Sequence, residues 1–109
     1  MDCLDTLGSS LLTQAQRAPG PTHTVVRGGG ERSLQQSVVA LADGQSMSCD
    51  RAVCEATLVV LRGAVELRGA DRMWDAGEGD LVDLPGEGWR ATACTDSVVL
   101  VTWLEATAA

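Results

Sequence analysis

Few side chains in this chain can do chemistry. His23 is the only imidazole, and Cys3, Cys49, Cys54 and Cys94 are the thiols. With one imidazole, no two-histidine metal centre can be assembled within a subunit, and no Ser-His-Asp or Cys-His pairing for nucleophilic attack stands out. Cys49 and Cys54 approach zinc-knuckle spacing, but a closed tetrahedral site needs two further ligands. Cys94 is the nearest addition, and Cys3 lies far off in sequence. A shell built from Asp50, Glu55 and Cys94 is the remaining route to a metal. The simpler reading of the thiols is small buried hydrophobes or loop side chains. Chemistry of another kind falls to Trp89 and Arg90. An indole can wall a small organic ligand, and a guanidinium can clamp a carboxylate through two hydrogen bonds.

The elements that must position these residues are mostly strands. Residues 2–17 put Leu4, Leu7, Leu11 and Leu12 on one stripe, which predicts a helix with Asp2 or Asp5 as N-cap. Ala18-Pro19-Gly20-Pro21 ends it. A short strand over 23–26 follows, carrying His23 toward solvent or a dimer edge. Strands are then expected over 35–42, 45–49, 55–62, 64–68, 72–74, 80–84, 89–94 and 97–104. Asp43-Gly44 is a hairpin signal, and the run Asp75-Ala76-Gly77-Glu78-Gly79 reads as a turn. Short strands at near-even spacing, split by Gly-rich turns, point to an antiparallel sandwich or barrel. The strands over 55–62 and 97–104 are apolar on both faces, so both faces must be covered. A homodimer that shares the N-terminal elements would cover the outer face; so would the chain's own helix.

Composition bounds the rest. The 109 residues suffice for one core. There are three tryptophans, no Phe and no Tyr, and every basic residue is Arg. The formal charge of −7, with eight Arg scattered among fifteen acids, argues against nucleic acid. No apolar run reaches the roughly 20 residues that cross a bilayer. The start Met-Asp-Cys-Leu-Asp does not read as a signal peptide, so the expected location is the cytoplasm with reduced thiols.

Over residues 33–104 the sequence resembles the small single-domain cupins (cupin-2-like conserved barrel). Gly44 and Gly63 stand at the ends of the first family motif. Asp50 and Ala52 occupy the places of its two histidines, and Ala56 the place of its glutamate. Gly79 and Pro85 match the second motif, whose histidine falls on Trp89 or Arg90. Gly79-Asp80-Leu81-Val82 and Asp96-Ser97-Val98-Val99-Leu100 also look like this group. The resemblance implies an all-β double-stranded β-helix (jelly-roll barrel), here with a short N-terminal helix, and commonly a homodimer. It divides the chain into 1–32 (helix, linker, first strand), 33–104 (barrel) and a tail over 105–109.

The resemblance carries over no metal, because the ligand positions are substituted, and no cofactor is expected. The candidate lining of the barrel is Met47, Asp50, Ala52, Ala56, Trp89, Arg90 and Cys94. Trp74 and Trp103 are assigned to core or interface. The reading that follows is a metal-free protein that binds a small apolar or carboxylate-bearing molecule, or serves a structural or regulatory role. The alternative is a cupin-type metalloenzyme, an isomerase or dioxygenase, with an atypical ligand shell. A pure association module with a filled barrel is the third.

Overall fold

A computed structural model describes residues 1–30, 32–49, 55–85 and 88–104. A helix, α1 (Leu4–Arg17), precedes nine strands: β1 (Thr22–Arg27), β2 (Leu34–Leu41), β3 (Ser46–Cys49), β4 (Glu55–Arg62), β5 (Ala64–Arg68), β6 (Met73–Gly77), β7 (Leu81–Leu84), β8 (Trp89–Ala93) and β9 (Ser97–Leu104). They form two antiparallel sheets, ordered β1-β2-β9-β4-β7 and β3-β8-β5-β6. The architecture is the antiparallel sandwich expected from the strand pattern, in the jelly-roll form that the family resemblance implies.

Alternation along the strands builds the core. On β4, Ala56, Leu58 and Val60 turn inward; on β5, Val65 and Leu67; on β8, Trp89, Ala91 and Ala93. These meet Val39, Leu41, Val99 and Val101 of β2 and β9 between the sheets. Each fully buried Val or Leu contributes about 1.5–3 kcal/mol.

A second apolar layer lies outside the five-stranded sheet. Leu11, Leu12 and Ala15 of α1 pack on Val38 and Ala40 of β2 and Val98 of β9. The two-sided apolar character expected of β9 is thus answered by the chain's own helix, and that of β4 is answered by the helix at Leu61. Gly8 lets it sit close: a Cβ there would stand 2.9 Å from Val98 Cγ1.

Two β-bulges shape that contact. Register shifts fall between Val60 and Arg62 on β4 and between Val25 and Arg27 on β1. An extra residue lets consecutive side chains serve one face. Leu61 and Val26 join the helix-facing cluster. The next residues, Arg62 and Arg27, reach the helix end as ion pairs to Asp5 (2.8 Å) and Asp2 (2.7 Å). The expected N-cap by Asp2 or Asp5 gives way to this arrangement. Cys3 occupies the cap position and caps no backbone N–H with its side chain.

Several element boundaries also differ from expectation by a residue or more, and those of β6 and β8 have consequences. Strand β6 runs on through Asp75, Ala76 and Gly77, because their partners Glu66, Val65 and Ala64 extend the ladder. The turn therefore falls later, where Asp80 Oδ2 accepts from Gly77 N at 2.8 Å and Gly79 takes a positive φ of 87°. Strand β8 stops at Ala93, so Cys94 lies outside it.

Candidate binding cavity

The sheets part at the end where β3 and β8 face β1, β2 and β9. Between them lies a cavity of about 340 Å³. Its walls follow from strand register. Cys49 pairs with Trp89, and Met47 with Ala91, so these side chains share the inner face of the four-stranded sheet. Opposite them, Ser37 pairs with Val101, Val39 with Val99, and Trp103 with Ala56. Met47, Cys49, Trp89, Ser37, Val39, Ala56, Val101 and Trp103 all line the cavity, and Pro21 and His23 reach it from the first strand's end.

The lining is mostly apolar, with a few polar groups. Trp89 is 4% exposed, and its buried Nε1–H has no hydrogen-bond partner among the described residues. Ser37 is buried and donates its hydroxyl proton to the Thr24 carbonyl at 3.2 Å, so only its lone pairs remain to be offered. His23 is exposed at the edge. Cys49 is half-buried.

Of the residues expected to line the barrel, Met47, Ala56 and Trp89 are brought together here. Asp50 and Ala52 lie outside the described residues, as do Arg51 and Cys54. Arg90 does not line the cavity. It follows Trp89 on a strand, so period-two alternation turns it to the opposite face, where it pairs with exposed Ser48 and Arg68. The carboxylate clamp expected of it is therefore aimed at solvent. Cys94 is also exposed, held past the strand end by its N–H to the Ala64 carbonyl at 2.9 Å.

Trp103, Ser37, Val39, Val101, Cys49 and His23 were not singled out as lining residues. The signal for most of them was alternation: Trp103 shares a face with Val101, and Cys49 with Met47. Trp74, assigned to core or interface, is half-buried, with the Arg72 guanidinium 4.7 Å from its ring centroid.

Among the described lining residues, His23 and Cys49 are the side chains of the usual metal-ligand types. Ala56 ends in a methyl group, and the indole nitrogen of Trp89 is a donor only, without a lone pair to give. Glu55, the carboxylate beside Ala56, is exposed on the other face of β4. Among the described residues no group of three or more His, Cys, Asp or Glu could hold an ion. No described helix is long and apolar enough to cross a membrane.

Comparison with solved structures decides the fold. A cupin superfamily protein of Desulfitobacterium hafniense superposes with a TM-score of 0.70 at 19% identity, over 81% of this chain and 80% of that one. The chain has the cupin fold. A Rhizobium leguminosarum protein of unknown function matches this cupin barrel and its helix more completely, with a TM-score of 0.71 at 22% identity over 97% and 98% of the two chains. KdgF from Halomonas sp. matches at 0.68 and 19% identity, over 83% of each. No family model matches the sequence, and a search among curated proteins finds no match.

Proposed function

We propose that this cupin barrel is a metal-free binding site for a small organic molecule. The observation that carries the reading is a mostly apolar cavity of about 340 Å³ between the sheets, walled by Trp89 and Trp103, with Ser37 and His23 as polar groups among its lining. Ligand cavities of roughly 300–1,000 Å³ with a few placed polar groups are the usual form of such sites.

The experiment is titration of the purified protein with a panel of small ketones, lactones, alcohols, acids and hydrocarbons, followed by tryptophan emission and calorimetry. Saturable quenching by at least one class supports the reading. A panel without binders at millimolar concentration leaves a structural or association role instead. Elemental analysis tests the metalloenzyme alternative: stoichiometric iron, manganese, nickel or zinc would replace the metal-free reading.

A homodimer and a cytoplasmic setting belong to the same proposal. Leu81 is 68% exposed beside half-buried Val59, on the part of the outer face away from α1. Sedimentation velocity tests whether a second copy covers it. The exposed thiols Cys3 and Cys94 suit a reducing compartment.

A further inference from the structure

We infer that the cavity takes a flat aromatic or heteroaromatic molecule of bicyclic size, packed against Trp103, Trp89 and Met47. This rests on the binding reading above and adds the ligand's chemical class to it.

The aromatic side chains of the chain gather at this one place. The sequence holds three Trp and one His, with no Phe and no Tyr. Of these rings, Trp89, Trp103 and His23 line the cavity, and Trp74 does not. Two half-buried sulfur side chains, Met47 and Cys49, share the lining. Elsewhere between the sheets the core is aliphatic, with Leu58, Val65 and Leu67 fully buried. Trp89 is a nearly buried wall, whereas Trp103 is half-buried and His23 exposed, so those two have surface left for a guest.

This lining favours rings over saturated groups. An indole carries a negative face and a positive edge, so it prefers another ring, offset or edge-on. Thioether and thiol sulfur also make favourable contacts at ring edges. Trp89 belongs to the four-stranded sheet and Trp103 to the five-stranded one. A guest between the sheets therefore meets an indole from each side, and a flat guest can pack on both.

Volume sets the size. An apolar cavity of about 150 Å³ takes a benzene ring, and about 340 Å³ leaves room for a second fused ring.

The test uses the full chain and two alcohols with one carbon skeleton, β-naphthol and its saturated counterpart β-decalol. Calorimetry gives affinities. Carbon-13 labels on the methionine methyl groups report position, because Met47 lines the cavity while Met1 and Met73 are exposed outside it. β-Naphthol is expected to bind about three- to tenfold more tightly than β-decalol, the range that a ring–ring contact allows. Its ring current is expected to move the Met47 methyl signal and leave those of Met1 and Met73 in place. In Trp103→Leu the preference should shrink to within about twofold, since one ring partner is gone. Trp74→Leu should keep the wild-type preference. If Trp103→Leu does not fold, the wild-type ratio and the Met47 shift decide. Equal affinities, or tighter binding of the saturated alcohol, overturn the aromatic class while the cavity remains a binding site. Preferred binding of β-naphthol with an unmoved Met47 signal also overturns the inference, because the ring then sits elsewhere. Silence from both alcohols overturns the class, and the wider ligand panel then decides the binding reading by itself.

Discussion

Trp89 and Trp103 face one cavity from opposite sheets, the first on β8 and the second at the end of β9. Their surroundings differ. Trp89 is buried at 4% exposure, whereas Trp103 is half-buried. Trp89 is therefore the wall whose removal the fold feels most. Trp89→Ala is expected to cost about 3–5 kcal/mol, the range for deleting a buried aromatic. Trp89→Phe loses volume but also deletes an unsatisfied donor, so its cost should stay near 1 kcal/mol. Urea unfolding of the three proteins checks this; a Phe variant as damaged as the Ala variant would show that the indole N–H has a partner.

The helix is held by its apolar face rather than by its ion pairs. Arg62 and Arg27 bond Asp5 and Asp2 at the surface, where solvent screening leaves such pairs little to contribute. Leu11 is buried at 4% exposure against the sheet. Leu11→Ala should therefore cost about 2–4 kcal/mol, several times the loss from Arg62→Ala. Cys3→Ser supplies the missing cap and is expected to add about 0.5–1 kcal/mol. Denaturant midpoints order these variants, and Arg62→Ala matching Leu11→Ala would contradict the account.

Gly63 should tolerate no side chain. Its φ is +85°, and a Cβ would stand 2.4 Å from Asp96 O and 2.5 Å from Ser97 Oγ. Ser97 is fully buried and bonds both the N–H and the carbonyl of Ala64. Gly63→Ala is expected to lose at least about 2–3 kcal/mol, since strain and displacement of this network add. Gly8→Ala is the subtler case. Alanine normally gains about 0.5–1 kcal/mol over glycine inside a helix, but here the methyl group meets Val98 at 2.9 Å. We expect a net loss, read as a lower thermal midpoint.

Acid should loosen the helix contacts. The Asp96 carboxyl is held below its ordinary value of 3.8, first by the Asp43 N–H it accepts and then by Gln16. The Asp2 carboxyl is lowered chiefly by its hydrogen bond from Arg27. A carboxyl lowered on folding stabilises the native state above its unfolded value and loses that contribution as pH falls through the folded one. Stability should therefore hold from neutral pH down to about pH 4 and decline below it. Asp96→Asn should flatten that decline, because its side chain no longer titrates. Urea midpoints across this range test it, and an unchanged slope would assign the acid sensitivity to other groups.

The sequence alone determined the strands and their spacing. The glycine and proline punctuation at Gly44, Gly63, Gly79 and Pro85, and the alternation in β4, β5 and β9, are local signals, and they placed the fold among the cupins. The same local signals put Met47, Ala56 and Trp89 at the barrel. Only the tertiary structure decided which side each neighbour faces. Arg90 left the cavity because side chains alternate between the two faces of a strand, so a motif match uncertain by one position is uncertain in face. His23 and Trp103 came to the cavity because β1 and β9 cross it from distant parts of the chain. The bulges at Val26 and Leu61 turned four consecutive-pair side chains toward the helix, a register effect that neither composition nor periodicity encodes. Local propensity writes the elements into the chain. Which side chains share a space depends on pairing between remote segments, and that is settled only when the two sheets close on each other.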